Sequence, residues 1–244
     1  MSGIDSFTTL CLHFDGADGS TTITDSSSHA NTLVVNNAAV IGVAQSVFGG
    51  ASLHIPNQDV SDSVIGTGPS SNYSLGAGDF VVDLRYRPAA FTSTAVIDWG
   101  FNISGQGATC PLLLQNGASI QWLFNGAVRI TGPSLSADTW YHVAVVRSSG
   151  VSRMFIDGAQ VGSDYTDSNN YGSDATNGIA VGMVLGAGAS QSGWYDEVRF
   201  SKGTDRGWFS GFTPPVAAYS QANAFRKTLS LVGTRTGSRQ VQAS

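Results

Sequence analysis

The stretch that decides the fold is residues 140–162, which read WYHVAVVRSSGVSRMFIDGAQVG. Residues 140–147 are dominated by β-branched and aromatic side chains, as in a strand, and the Ser-Ser-Gly that follows marks a turn. Residues 152–156 form the next strand-like run, and Asp157-Gly158 marks a second turn into a third run. Short strands joined by tight turns predict an antiparallel sheet.

Strand-like runs of the same kind recur along the chain, whereas helical patterns are scarce. They lie at residues 10–14, 80–87, 95–99, 111–115, 119–124 and 179–182. Hairpins are expected at Asn116-Gly117 and Asn125-Gly126, because Asn and Gly accept positive φ. With 30 glycines and only 12% charged residues, the pattern predicts an all-β, antiparallel two-sheet jelly-roll sandwich.

Composition also indicates where the chain is made. No stretch approaches the roughly 20 apolar residues of a membrane span, and residues 1–5 lack the basic and apolar regions of a secretory signal. We therefore expect synthesis and assembly in a cytoplasm, or export by a route not written in the N-terminus, with no membrane partner. Cys11 and Cys110 are far apart and lack metal-site spacing, so two buried thiols are favoured over a disulfide.

Charge is distributed unevenly between the body of the chain and its C-terminal part. All 17 acidic residues precede residue 206, and 8 of the 12 basic residues lie in the body, which leaves the body at −9 and the C-terminal arm at +4. The double proline at residues 214–215 marks the change, so we predict an N-terminal segment 1–6, a domain 7–216 and a basic arm 217–244. An acidic body without a basic stripe disfavours nucleic acid.

The arm has few residues to bury on its own, so we expect it to dock either on a neighbouring subunit or on its own domain. Its anchors and charges are Phe225, Arg226, Lys227, Leu229, Arg235 and Arg239.

The only glutamate, Glu197, lies in the strand-like run 194–200 beside Asp196. Period-two alternation places Asp196 on one face with Val198 and Phe200, and Glu197 on the opposite, polar face. A carboxylate among apolar residues needs a metal ion, a charged partner or several hydrogen bonds.

Several of these segments, taken in order, resemble concanavalin A-like, laminin-G-type jelly rolls. The late strands of that family resemble residues 140–147, 154–158 and 193–203, and its early and closing segments resemble residues 12–16, 25–29, 48–53, 78–80 and 212–215. Domains of this kind are frequent in tailed-phage virion proteins, although the arm departs from the family pattern. The resemblance implies a virion structural protein, such as a capsid decoration, tail or fibre-associated subunit, whose arm docks on other virion proteins in a homo-oligomer. The alternative is a carbohydrate-binding module or adhesin for host-surface glycans.

The residue content of the chain disfavours a catalytic function. Glycosidases of the resembled family use paired glutamates, and this chain has one. The four histidines do not form H-E-x-x-H, and no G-x-S-x-G elbow occurs. We expect His142 to pack within its sheet and the protein to be non-enzymatic.

A bound Ca²⁺ is implied by the resemblance, since such jelly rolls often hold one at a rim through carboxylates and carbonyls. The candidate ligands are Asp196, Asp15 and Asp25. The alternative is that Asp196 accepts backbone hydrogen bonds or pairs with Arg85 or Arg199, while Asp15 and Asp25 close turns.

Glycan binding favours exposed aromatic rings with polar neighbours, and two polar loops have that composition. The candidate residues are Tyr73, Tyr165, Asn169, Asn170 and Tyr171. The alternative is that both are ordinary polar loops. Trp99, Trp122 and Trp140 lie in strand-like runs and are expected in the core, whereas Trp208 could anchor the closing segment to the sheet.

Overall fold

The protein is a two-sheet sandwich in a computed structural model that describes residues 3–58, 61–67, 70–100, 109–176, 178–186 and 188–221. Those ranges contain fifteen strands: β1 Thr8–Leu12, β2 Thr32–Asn36, β3 Val40–Gly42, β4 Ser52–Ile55, β5 Ser63–Thr67, β6 Phe80–Pro88, β7 Ser93–Asp98, β8 Pro111–Asn116, β9 Ser119–Phe124, β10 Ala127–Ser134, β11 Tyr141–Ser148, β12 Val151–Ile156, β13 Ala159–Thr166, β14 Ile179–Val181 and β15 Gly193–Lys202. One short helix, α1, spans Ser70–Tyr73.

The strands form one sheet of eight and one of seven. The eight-stranded sheet has the order β13-β12-β11-β6-β15-β4-β3, with β1 also paired to β15. The seven-stranded sheet has the order β10-β9-β8-β7-β14-β5-β2. All pairs between these strands are antiparallel, which confirms the predicted jelly-roll class.

Two-residue hairpins place several consecutive strands next to each other in the sheets. At Asn125-Gly126, Ser149-Gly150 and Asp157-Gly158 both central residues have positive φ, between 50° and 81°. That backbone matches the twist of the flanking strands, so each turn fixes the register of its pair. The turn at Gly158 also leaves no room for a side chain, because a Cβ there would lie 1.8 Å from the carbonyl oxygen of Phe212.

Aromatic side chains fill the space between the sheets, as expected for Trp99 and Trp122. The two indole rings meet edge to face with centroids 5.7 Å apart, and Trp99 stacks on Phe200 at 5.1 Å. Trp140 lies just outside β11 and is only half-buried. Cys11 and Cys110 are both buried and free, as predicted.

The outer face of the eight-stranded sheet is covered by the closing segment, residues 204–221. Trp208 packs there with Val81 and Val146, and its ring stacks on Phe212 with centroids 4.0 Å apart. Trp208 therefore anchors the closing segment to the sheet, as predicted.

A β-bulge at Glu197 overturns the predicted alternation of β15. The register with β6 shifts between Asp196 and Arg199, and Glu197 has a φ of 51°. The side chains that enter the core on either side of the bulge are Tyr195, Val198 and Phe200. The extra residue reverses the phase of alternation. Asp196 therefore does not share a face with Val198 and Phe200, and Glu197 is buried rather than solvent-facing.

Residues on the outer side of both predicted domain boundaries pack against the domain. Ile4, assigned to a separate N-terminal segment, is buried against Cys11 and Tyr219. Tyr219, assigned to the arm, is buried within the domain, and Gln221 bridges to Ile4. The predicted arm residues Phe225, Arg226, Lys227, Leu229, Arg235 and Arg239 lie outside the described residues.

Candidate functional site

A buried polar network occupies the outer face of the eight-stranded sheet. Asp83 on β6 accepts hydrogen bonds from Arg199 Nε at 3.0 Å and from His142 Nε2 at 3.2 Å. Burial opposes ionisation of this carboxyl, but the charge of Arg199 and the hydrogen bonds from His142 and Tyr219 together outweigh it and lower the pKa of Asp83 to about 2. Burial lowers the pKa of His142, so the imidazole is neutral and donates from Nε2. His142 packs within its sheet as predicted.

The closing segment enters this network through Tyr219. Its hydroxyl donates to Asp83 Oδ2, and the Arg199 guanidinium lies 3.7 Å from the centre of its ring. Its backbone N–H donates to Glu197 Oε2 at 3.0 Å, while Glu197 Oε1 lies 2.8 Å from His13 Nδ1. The only glutamate is therefore engaged on both oxygens.

A polar rim pocket of about 280 Å³ lies beside His13, at the end of β1. Its lining residues are His13, Phe14, Asp15, Thr24 and Ser26. The hydrogen bond to Glu197 raises the pKa of His13, with further contributions from the charges of Asp15 and Asp196. The pocket therefore combines an acidic environment with an imidazole that is more basic than usual.

Asp196 lies next to this pocket with a half-satisfied carboxylate. Its Oδ2 accepts the backbone N–H groups of Val47 at 2.8 Å and Phe48 at 3.1 Å, while its buried Oδ1 has no hydrogen-bond partner among the described residues. Burial is the main reason that the pKa of Asp196 rises to about 7. The backbone-acceptor alternative is thus correct for Oδ2. The two arginines considered as partners bond elsewhere: Arg199 to Asp83 and Arg85 to Pro215 O.

Asp15 is exposed and lies over the neighbouring loop, since a Cβ at Gly49 would fall 1.6 Å from its Oδ1. It is near enough for its charge to raise the pKa of Asp196. These two predicted calcium ligands are therefore brought together.

The Asp25 carboxylate is fully used as an acceptor within its own loop. Its oxygens accept five hydrogen bonds: from Cys11 N, Ser27 N, Ser27 Oγ, Asn31 N and Asn31 Nδ2. A carboxylate has about four lone-pair positions, so none is left for a metal ion. The prediction of Asp25 as a calcium ligand is wrong, and its alternative role in closing a turn is correct.

The fit to calcium is therefore partial. Asp196 Oδ1 and Asp15 could supply two of the six to eight oxygens that Ca²⁺ takes. Within the described ranges, no group of three or more His, Cys, Asp or Glu side chains is arranged to hold a metal ion. Any further ligands would have to be carbonyl groups or water.

Two of the predicted glycan-binding residues cannot contact a sugar. Tyr73 and Tyr171 are fully buried in the core, and the Tyr171 ring meets Phe80 and Phe124 edge to face. Its hydroxyl donates to Asp167 Oδ2 at 2.8 Å, which ties the loop to the sandwich. The prediction that both tyrosines stack on a sugar is wrong, because their rings are buried between the two sheets.

Three other candidate residues of that loop are at least partly accessible. Tyr165 is half-buried, with the Arg129 guanidinium 5.4 Å from its ring centre. Asn169 Nδ2 donates to its hydroxyl at 2.9 Å, and Asn170 is exposed. Tyr165, Asn169 and Asn170 thus remain candidates for glycan contact.

Sequence reasoning missed a second crevice, of about 240 Å³, lined by Asp5, Phe7, Thr204 and Arg206. Phe7 is 45% exposed, whereas the Arg206 side chain is only 2% exposed and pairs with Asp5 at 3.0 Å. The halves of this crevice lie about 200 residues apart, so no local motif could have indicated it.

The family of the chain follows from its sequence match. The family described as the concanavalin A-like lectin/glucanases superfamily, of laminin-G type, matches residues 61–204. The chain belongs to this family. No curated protein sequence matches this concanavalin A-like chain significantly. No helix within its described ranges is long and apolar enough to cross a bilayer.

Solved structures share the fold at low sequence identity. The binding domain of Paraclostridial Mosquitocidal Protein 1 has a TM-score of 0.60 at 13% identity, over 80% of this chain and 48% of that one. Domain 4 of AbnA, an extracellular arabinanase from Geobacillus stearothermophilus, was solved with arabinotriose and has a TM-score of 0.58 at 16% identity, over 83% and 97%. The botulinum neurotoxin serotype D ligand-binding domain, solved with N-acetylneuraminic acid, has a TM-score of 0.56 at 14% identity, over 81% and 48%. The concanavalin A-like chain thus spans about half the length of the two toxin domains.

Proposed function

We propose that the chain is a non-enzymatic jelly roll that binds carbohydrate on a biological surface. The family match supports the carbohydrate-binding part of the proposal, and the state of Glu197, the only glutamate, carries the non-enzymatic part. It is buried, with one oxygen bound to His13 and the other to the backbone of Tyr219. A glycosidase places a pair of carboxyls against the sugar, so a mechanism that uses a pair of glutamates is excluded when the single glutamate is held within the fold.

The structural relatives support the binding role by analogy of fold. The arabinanase domain was solved with a neutral oligosaccharide and the neurotoxin domain with an acidic sugar. Those ligands belong to those proteins, and the proposal extends sugar binding as a class to this chain.

A glycan array probed with the intact chain tests this function, together with chromatography of each bound oligosaccharide after prolonged incubation. We expect binding to a defined subset of glycans and no release of shorter products. Cleavage of any glycan contradicts the non-enzymatic role, and a lack of binding to every glycan contradicts the binding role.

The resemblance to domains of phage virion proteins implies a second, compatible role as a virion structural protein, and the charge asymmetry suits the docking of its arm. A body at −9 and an arm at +4 suit docking of the arm on an acidic neighbouring subunit. In this role the sandwich faces outward as a capsid decoration, tail or fibre-associated subunit.

The arm is tested by comparing the mass of the full chain with that of a chain ending at Gln221. The cut follows Gln221 because Tyr219 belongs to the buried network. We expect a multimer for the full chain and a monomer for the shortened one. The matched control keeps the length and changes Arg226, Lys227, Arg235 and Arg239 to Gln. The same number of subunits in all three proteins contradicts the docking role.

A further inference from the structure

We propose that the crevice lined by Asp5, Phe7, Thr204 and Arg206 binds one neutral saccharide unit. The inference rests on the proposed carbohydrate-binding function and names the place where the sugar sits. The crevice, of about 240 Å³, lies where the start of β1 meets the end of β15.

Phe7 supplies an aromatic surface that is fixed in position. The turn before β1 is closed by a hydrogen bond from Thr8 N to Asp5 O at 3.0 Å, and the Asp5 carboxylate accepts Phe7 N at 3.1 Å. The ring lies beside Gly203, since a Cβ built there would stand 3.7 Å from it. With 45% of the residue exposed, the rest of the ring is available to the C–H face of a sugar.

Arg206 is held at the back of the crevice at a conformational cost. Its φ of 53° is in the left-handed region, which an arginine rarely adopts. The guanidinium is fixed by Asp5, by Ser201 Oγ at 2.6 Å and by Thr8 Oγ1 at 2.9 Å. A strained backbone and a buried, multiply bonded cation together make a rigid wall.

Two polar groups remain to recognise hydroxyls. Among the described residues, Asp5 Oδ2 accepts only one hydrogen bond, from Arg206 Nη1 at 3.2 Å, which leaves an unused lone pair on a side chain that is 22% exposed and lines the crevice. Thr204 Oγ1 accepts the Arg206 N–H at 3.0 Å and retains its own hydrogen to donate. One acceptor and one donor beside an aromatic ring match a sugar with neighbouring hydroxyls.

Charge indicates a neutral sugar rather than an acidic one. Burial opposes ionisation of Asp5, but its hydrogen bonds and ion pair with Arg206 outweigh this and lower its pKa. The carboxylate therefore stays ionised and neutralises the arginine. An acidic sugar would meet an ionised carboxylate on a body whose net charge is −9.

The experiment compares the glycan-array and titration profiles of the intact protein with those of Phe7→Ala, Phe7→Trp and Phe91→Ala. Phe91 is the matched control, because it is the other phenylalanine more than a third exposed among the described residues, at 37%. We expect the intact protein to prefer neutral glycans and Phe7→Ala to weaken binding on the order of tenfold. Phe7→Trp keeps the aromatic surface and should retain binding, and Phe91→Ala should be unchanged.

The outcomes separate this inference from the function on which it rests. If the intact protein binds glycans and Phe7→Ala binds equally well, the crevice is not the site, although the proposed function stands. If the intact protein binds no glycan, both fail. If Phe7→Ala also lowers the melting temperature, Phe7→Trp decides: retained binding supports the crevice, and lost binding overturns it. A preference for sialylated glycans overturns the assignment of a neutral sugar.

Discussion

Tyr219 donates a hydrogen bond to Asp83, although 136 residues separate them in the chain. Through this contact the closing segment completes a network on the outer face of the eight-stranded sheet. The network holds a buried aspartate whose other partners, Arg199 and His142, come from two further strands. A buried carboxylate is costly unless its lone pairs are satisfied, so the segment contributes to the stability of the domain.

Removal of the Tyr219 hydroxyl should destabilise the protein. Tyr219→Phe keeps the ring on Arg199 but leaves Asp83 with one donor fewer, which we expect to lower the free energy of unfolding by about 1–3 kcal/mol. Urea denaturation at neutral pH measures this. Tyr165→Phe is the matched control, since its hydroxyl lies on a half-buried ring at the edge of the sheet. Equal midpoints for the two variants contradict the prediction.

Asp196 should make stability fall as pH rises. Its folded pKa of about 7 lies above its ordinary value of 3.8, so between these values the folded state binds the extra proton. Stability is greatest below about pH 4 as far as this group is concerned, and is lost as pH rises through 7.

The variant Asp196→Asn removes that dependence while keeping an oxygen for Val47 and Phe48. We expect it to be more stable than the unmodified protein at pH 8 by about 1–2 kcal/mol, with the gap closing at acid pH. Asp138→Asn, at an exposed site, should show no such pH-dependent gap. A gap that is constant with pH argues against titration of Asp196.

Calcium should raise the melting temperature if Asp196 and Asp15 hold a cation. Ions that bind only the folded state stabilise it in proportion to the logarithm of their concentration. Millimolar CaCl₂ at pH 8 should therefore increase the melting temperature of the unmodified protein, and Asp196→Asn should abolish the increase. MgCl₂ at equal ionic strength controls for screening. No shift with calcium sinks the proposal.

In the absence of metal, Asp25→Ala and Asp15→Ala should have very different effects on the free energy of unfolding. Asp25→Ala leaves three backbone N–H groups without their acceptor, and we expect a loss of about 2–4 kcal/mol in unfolding free energy. Asp15→Ala removes an exposed side chain and should change stability by less than about 0.5 kcal/mol. Denaturant titration compares the two, and a similar loss for both counts against the loop role of Asp25.

Local chemistry was sufficient to predict ten of the fifteen strands and several of their hairpins, whereas β2, β3, β4, β5 and β10 were not predicted. Asn125-Gly126 and Asp157-Gly158 turn the chain because their residues accept positive φ, and that property belongs to the residues themselves. The two wrong predictions of glycan-binding tyrosines have a common cause. Tyr73 and Tyr171 have the composition of a sugar-binding loop, but their exposure depends on what packs against them from the opposite sheet.

The sequence by itself determined the class of fold, the burial of Trp99 and Trp122, and the uneven charge of body and arm, because these follow from residue type and short-range spacing. Only the tertiary structure decided the environment of β15. The bulge at Glu197 reverses side-chain direction, and the partners of Glu197 and Asp196 come from distant segments. The Asp5–Arg206 crevice likewise exists only because β1 and β15 pair. A carboxylate's chemistry depends on its neighbours in space, and for these residues the neighbours are remote in sequence.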